Sequence, residues 1–594
     1  FLGVDIFFVI SGFVITSSLS RRQSSNFWSF IINFYKRRIK RLLPVLLTYV
    51  LITSLLTILF VTFPGKILFT GFSSVFGLSN NYLFLESGDY FGQNLNLNTF
   101  THTWSLGVEE QFYFIFPLIL WFTGFAKNNN RSNKSTLILL IVLSTISLIS
   151  FTYFHEINHS ASYFLMPCRF WELSLGSIFF ILNKHYISNY SLLKRIPTYP
   201  IILCILFLFF LPLEYSLFST ILVVVLTNFL IISFKENSLL FNIFTNKKIL
   251  YLGLISYSLY IWHWGVITIS KWTIGIYWWT IPFQVTLILI LSSISYKYLE
   301  KYFINLELNK NNRQIIILLF LSPSLVFGLS IIRKFDLINY QGNREEEFIA
   351  KISSPEKGIY IKNNLNPNTK RILVIGDSHA GHFVDLFRDF GKKFEDISIN
   401  LHESGAGIPK SNSSNKNRTF SNLVESIDYY YPKLKKGDLI FLSNNSRMPT
   451  EKWRFNQIKN GYNYIIKLVE NKGISVVIAN QTPTFSVGDY STCFKYWFRP
   501  FINNEDCYQY MPRDFGLEIA NYTNNEYKKL SENYNHVLIF DAFSSLCPSN
   551  LKDCTNQYKG KFLYGDTNHL SKYGSSFLLK DYINFMEENS LLKK

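Results

Sequence analysis

Up to about residue 333 the chain carries a succession of apolar runs, most near the ~17–25 residues an α-helix needs to cross a hydrocarbon core. They fall at about 3–20, 42–63, 110–125, 137–154, 163–183, 199–212, 216–234, 251–270, 278–299 and 314–333. In lipid every backbone polar group must be satisfied within the protein, so such runs form helices. This half is therefore expected to be a polytopic bundle of ten membrane helices. An eleventh candidate, 67–85, is interrupted by Gly71, Ser73, Ser74 and Gly77 and ends in Ser79, Asn80 and Asn81; it is read as re-entrant or surface-lying.

Charge fixes an orientation for these spans. One set of loops carries Arg21, Arg22, the run from Lys36 to Arg41, and further Lys and Arg at 127–134, 184–195, 235–248 and 301–313. The opposite loops hold only Lys66 and Lys271. Lys/Arg-rich loops are cytoplasmic, so residues 1 and 334 both lie outside. A start on the outside, already within an apolar run at Phe1, predicts one more span upstream. The net charge of +18 could suit nucleic acid, but the basic residues sit between apolar runs instead of striping one folded surface. No nucleic-acid partner is expected; membrane lipids are. Charged residues make up only 16%, against roughly 25% in ordinary soluble domains, which argues against a purely soluble protein.

Composition changes near residue 334. The expected organisation is a membrane domain at 1–313, a connecting membrane helix at 314–334, a polar linker or extension at 335–369, and an extracytoplasmic domain at 370–594. In this last part short β-rich runs at 372–375, 438–442, 475–479 and 536–540 alternate with helical patterns, which predicts a parallel sheet covered by helices. Cys493, Cys507, Cys547 and Cys554 permit three pairings, of which Cys493–Cys507 and Cys547–Cys554 are the most local. An exported domain favours disulfides; four free buried thiols are the alternative. Cys168 and Cys204 sit in apolar runs and read as packing residues. Without a CxxC pair or clustered histidines, no metal is expected.

Two motifs in this part carry chemistry. A strand ending in Gly376-Asp377-Ser378-His379 puts Ser378 on a turn at the carboxyl edge of the sheet, where α/β proteins bind ligands. The same turn also fits a simple helix cap. Far downstream, Gly565-Asp566-Thr567-Asn568-His569 places Asp566 and His569 three apart. His569 then serves as general base on Ser378, and Asp566 fixes its tautomer; a surface turn is the plain alternative. In order across one α/β domain, the two motifs leave the plain readings in the minority.

Polar residues within membrane runs are costly and usually paired or functional. Arg169 and Glu172 lie three apart on one helix face, as a structural ion pair or part of a polar path. Glu109 and Glu110 fall at a membrane boundary, where interfacial solvation also suits one of them. Arg38 and Arg41 can grip a phosphorylated carrier; topogenic charge with lipid headgroup contact is the competing explanation. His263 reads as a helix-packing residue.

Several of these stretches are shared with a known family. Gly3-Val-Asp-Ile-Phe-Phe-Val-Ile-Ser-Gly12, the Arg38/Arg41-Leu-Leu-Pro pattern, Trp104-Ser-Leu-Gly-Val-Glu-Glu-Gln-Phe-Tyr113, Arg169-Phe-Trp-Glu172 and Ile255-Ser-Tyr-Ser-Leu-Tyr-Ile-Trp-His263 resemble acyltransferase family 3. The Gly376-Asp-Ser-His379 and Asp566-Thr-Asn-His569 blocks resemble the first and last blocks of SGNH (GDSL-like) hydrolases. The resemblance implies a polytopic α-helical membrane domain followed by a three-layer, flavodoxin-like α/β SGNH domain. It implies a Ser378–His569–Asp566 triad. It implies Gly405 or Gly407 and Asn444 as oxyanion donors, the latter in Ser443-Asn-Asn-Ser446, which lacks the family's Gly and Asp; a structural turn is the equal alternative for both. The family's essential Arg and His lie on a helix just upstream of the Gly-Val-Asp motif, and its Glu-Lys-Pro motif is altered here to Glu300-Lys-Tyr-Phe303.

The whole resembles fused bacterial enzymes that O-acetylate surface polysaccharides. Acetyl-CoA is the implied donor, with no permanently bound cofactor. The implied acceptor is an exported polysaccharide or lipid-linked glycan, such as lipopolysaccharide O-antigen, and the implied place is the inner membrane with a periplasmic C-terminal domain. Two other readings stay open: a tethered glycan O-deacetylase using the same triad, and a non-enzymatic transporter or flippase with a glycan-binding module.

Overall fold

The computed structural model describes residues 2–21, 26–61, 64–87, 97–125, 130–187, 198–234, 238–306, 359–362, 369–403, 418–446, 452–485, 493 and 507–592. The chain forms two compact units, 1–340 and 341–594.

Among the described residues of the first unit, six helices are long and apolar enough to cross a membrane, or up to seven if the bent pair Lys247–Leu254 and Ser256–Trp272, at 66°, counts as one span. The six are Leu2–Ser20, Phe27–Phe60, Ser132–Ile157, His159–His185, Ser216–Ser233 and Ile281–Asn305. The chain is a multi-pass membrane protein. Two of the ten expected spans differ. The run at 110–125 belongs to the helix Trp104–Phe122, whose first half is made polar by Glu109, Glu110 and Gln111. The run at 199–212 contracts to the eleven-residue helix Thr198–Leu208, because Pro212 disfavours helical geometry ahead of it. The run at 314–333 lies outside the described residues. The interrupted stretch at 67–85 folds as two short helices, Gly65–Val75 and Ser79–Ser87.

The 34-residue helix Phe27–Phe60 is about 51 Å long at 1.5 Å per residue. That exceeds a hydrocarbon core of ~30 Å, and the basic segment Lys36–Arg41 lies in its N-terminal half, ahead of the long apolar part. Helices Leu2–Ser20 and Met166–Leu182 pack backbone to backbone: a Cβ at Gly12 would stand 1.8 Å from the Leu173 carbonyl oxygen. Only glycine allows that approach, and small residues serve this purpose between membrane helices.

The second unit is built on a six-stranded sheet. Its strands are β1 (Ile359–Lys362), β2 (Lys370–Gly376), β3 (Ile397–Glu403), β4 (Leu439–Ser443), β5 (Ser475–Ala479) and, after a short separate strand β6 (Tyr510–Pro512), β7 (Val537–Phe540). The order is β1-β3-β2-β4-β5-β7. All neighbours are parallel except β1, which pairs antiparallel with β3. The parallel core has the flavodoxin-like arrangement in which the second strand lies outside the first. Part of the stretch expected as a linker or extension, 335–369, supplies an edge strand, Ile359–Lys362; four residues amid polar sequence are too few to show a strand period.

Both faces of the sheet are covered, as parallel sheets require. Ile372 and Val374 of β2 face Phe383, Phe387, Phe390 and Tyr582. The alternate residues Leu373 and Ile375 join Ile427, Ile458, Tyr462 and Val469 on the other side. The result is a three-layer α/β unit. Cys493–Cys507 and Cys547–Cys554 are disulfide-bonded, whereas Cys168 is a buried thiol and Cys204 an exposed one.

Candidate active site

β2 and β4 are adjacent, with Gly376 in register with Ser443. Their chains leave toward opposite neighbours, β3 and β5, so the crevice between them is the topological switch point where open α/β sheets bind ligands. A Cβ on Gly376 would lie 1.7 Å from the Ser443 carbonyl oxygen; only glycine lets the two strand ends close up. Immediately beyond, Asp377 caps the short helix Ser378–Gly381 by accepting from the His379 N–H at 2.9 Å. Ser378 is thereby presented at the carboxyl edge.

The other arm is the turn at 565–569, closed by the Gly565 N–H donating to the His569 carbonyl at 2.9 Å. Asp566 Oδ1 accepts the backbone N–H groups of His569 at 2.7 Å and Asn568 at 3.0 Å. Its Oδ2 meets His569 Nδ1 at 2.7 Å. With the proton on Nδ1 facing a carboxylate, Nε2 is the acceptor, and it lies 2.8 Å from Ser378 Oγ. The arrangement suits proton abstraction from the hydroxyl, with a carboxylate to stabilise the imidazolium that forms.

Burial pushes Asp566 upward, but the hydrogen bond and charge of His569 and the two backbone N–H groups outweigh it and hold the carboxyl below its ordinary range. Two further histidines flank the triad: the His379 ring is 5.2 Å and the His382 ring 6.2 Å from that of His569. Burial, aided by repulsion from neighbouring imidazoles, lowers His379 to about 4 and also lowers His382. Both stay neutral at physiological pH, so no fixed positive charge from them opposes a proton on His569.

Asn444 follows β4. Its Oδ1 accepts from the Tyr462 hydroxyl at 3.0 Å and its carbonyl from Gln481 Nε2 at 2.8 Å. Its Nδ2 is buried and, among the described residues, has no hydrogen-bond partner. An unpaired buried donor costs roughly 1–3 kcal/mol, which fits a group held ready for a developing oxyanion. Gly405 and Gly407 lie outside the described residues. Tyr462, Gln481 and Arg454 were not singled out from the sequence, whereas Asp377 is the helix cap that the sequence allowed at this turn.

In the membrane unit, Arg169 is buried and donates from Nη1 to Glu172 Oε1 at 2.7 Å and to Asp5 Oδ1 at 3.3 Å. Asp5 Oδ2 accepts from Thr220 at 3.3 Å, so the cluster ties three helices together. Asp5 is the residue the sequence reading passed over, although a lone carboxylate in an apolar run is itself a signal. Glu109 is buried within the electrostatic reach of Arg38 and Arg41. Arg38 lies over the Tyr113 ring, 4.9 Å from its centroid, and Arg41 Nε is 3.5 Å from Glu300 Oε1. Glu110 is half-buried on the same helix as Glu109. These side chains are thus distributed over an Arg169 cluster and a neighbourhood of Arg38, Arg41 and Glu109. His263 Nδ1 lies 2.6 Å from the Tyr260 carbonyl. Beside it is His102, also absent from the sequence reading, whose Nε2 is 3.2 Å from the Ile261 carbonyl.

Comparison with known proteins adds the decisive finding. The model of acyltransferase family 3, described as an acyltransferase domain, matches residues 1–299. The chain belongs to acyltransferase family 3. Residues 352–584 match a second model, described as an SGNH domain fused to such acyltransferase domains. Among the relatives, O-acetyltransferase OatA of Staphylococcus aureus strain NCTC 8325 / PS 47 is 28% identical over 376 residues, covering 58% of this chain and 61% of that protein. The provisionally named O-acetyltransferase SACOL0978 of Staphylococcus aureus strain COL is 27% identical over 440 residues, covering 66% of this chain and 70% of that protein. No solved structure matches. The family 3 chain is therefore a multi-pass membrane O-acyltransferase with an SGNH domain.

Proposed function

We propose that this enzyme passes an acetyl group from cytoplasmic acetyl-CoA through its membrane unit to Ser378, and from there to a hydroxyl of an exported cell-surface polysaccharide. Acetyl-CoA is large and highly charged, and a glycan assembled outside cannot meet it directly, so only the small acyl group should cross. Arg38 and Arg41, at the basic end of Phe27–Phe60, are suited to CoA phosphates as bidentate donors. Glu109, Glu110, Arg169 and Glu172 would organise the polar path.

In net terms, the C–S bond of acetyl-CoA breaks and the Ser378 Oγ–acyl carbon bond forms. The hydroxyl proton is taken by His569 Nε2 and released, and the CoA thiolate takes up one proton as it leaves. The glycan hydroxyl then attacks the ester. Its proton goes to His569, its oxygen takes the acyl group, and Ser378 Oγ recovers a proton. Asn444 Nδ2 supports the oxyanion in both halves. Lipopolysaccharide O-antigen, peptidoglycan and other exported glycans share the hydroxyl chemistry this requires.

The observation that carries the reading is the continuous Asp566–His569–Ser378 hydrogen-bond chain in a domain joined to a family 3 acyltransferase. The test is acetyl transfer from labelled acetyl-CoA to glycan in membrane vesicles. Ser378→Ala should abolish it, and transfer at the wild-type rate would contradict the proposal. Released acetate without labelled glycan would instead identify a deacetylase.

A further inference from the structure

The nucleophile turn and the Asn444 loop are joined by a side chain from outside both. Arg454 lies in the first turn of the helix Lys452–Val469. Its Nη2 donates to Asp377 Oδ2 at 3.1 Å, and its Nε donates to the Asn445 carbonyl at 3.2 Å. The Asn445 N–H in turn donates to the same carboxylate, 3.1 Å from Oδ1 and 3.0 Å from Oδ2. Asp377, Arg454 and the Asn445 peptide thus close a ring of charge-assisted hydrogen bonds. One side of it is the residue before Ser378; the other is the residue after Asn444.

We propose that Arg454 is a positioning residue for acyl transfer, aiming the Asn444 carboxamide at the acyl oxygen through the clamp it forms with Asp377 and Asn445. The inference rests on the reading of Ser378 as acyl acceptor. Asn444 is gripped from three directions: its Oδ1 by Tyr462, its carbonyl by Gln481, and its following peptide by the clamp. Arg454 contributes two donors in a fixed plane, a geometry that lysine cannot reproduce from a single ammonium. Without it the Asn445 carbonyl loses a charged donor and the Asp377 carboxylate its positive partner. The stretch that carries Asn444 is then held less firmly, and Nδ2 can move off line. Displacements of about 1 Å at a reacting centre cost roughly 10²-fold.

The test is a double-mutant cycle on the full chain in detergent, using p-nitrophenyl acetate as acyl donor and Ser378→Ala as baseline. Asn444→Ala should lower kcat by about 10²–10³-fold, as loss of an oxyanion donor does. Arg454→Ala should lower kcat by about 10–10²-fold with KM changed less than about two-fold, because the clamp acts through geometry in the transition state. If Arg454 acts through Asn444, the double variant loses no more than Asn444→Ala alone. Wild-type kcat in Arg454→Ala, or losses that multiply in the double variant, would overturn the inference. If Arg454→Ala does not fold, Arg454→Lys takes its place in the cycle with the same two outcomes. Ser378→Ala turning over at the wild-type rate would overturn the acyl-acceptor reading and this inference together; an inactive Ser378→Ala with a multiplicative cycle overturns only the inference.

Discussion

Asp566 does two jobs with its two oxygens. One binds the backbone N–H groups of its own turn, and the other fixes the His569 tautomer. Asp566→Asn keeps the shape but lets the imidazole take the wrong tautomer, so Ser378-dependent turnover should fall by about 10³–10⁴-fold with the thermal midpoint little changed. A loss below ten-fold in the same steady-state assay would argue against the triad. His379 makes a separate prediction about stability. Its folded pKa of about 4 lies below its ordinary 6.5 because burial opposes the charge. Between those values the unfolded chain takes up a proton that the folded chain refuses. This contribution is therefore complete above pH 6.5 and lost as pH falls toward 4, on the order of 3 kcal/mol. Thermal midpoints from pH 7 to 4.5 should drop for the wild type and drop less for His379→Asn; parallel curves would refute the assignment.

Legibility at the scale of elements follows hydrophobic period. Strands β2, β4 and β5 are largely apolar runs buried on both faces, β7 is an apolar run half-buried at the sheet edge, and each lies within a residue or two of its expected position. β3 holds no continuous apolar run, since Ser398, Asn400 and His402 alternate with its apolar residues, yet that alternation is itself a strand period that the sequence offered; β1 is too short to show one. The meeting of Ser378, His569 and Asp566 was legible since each of them stands in a compact motif. The Arg454 clamp and the Asp5–Arg169 pair were not, because their partners are 77 and 164 residues apart and meet only through tertiary packing. Arg169 sits between two buried carboxylates, so Arg169→Ala leaves both uncompensated and should destabilise the membrane unit by about 3–5 kcal/mol. The thermal midpoint of purified full-length protein measures this, and a midpoint within experimental error of the wild type would show that the cluster is not a structural tie.

On the scale of the whole molecule, family 3 membership and the SGNH domain establish an acyltransferase built from two kinds of chemistry. The apolar half offers buried charge clusters, and the α/β half offers a serine hydroxyl hydrogen-bonded to an imidazole. What connects them in the proposed scheme is an acyl ester on Ser378. Mass spectrometry of acid-quenched protein, incubated in vesicles with labelled acetyl-CoA and no glycan, tests that link directly. The label should accumulate on the peptide containing Ser378 and leave it for glycan when acceptor is added. Glycan labelled at the wild-type rate while that peptide stays unlabelled in acceptor-free vesicles would contradict the account.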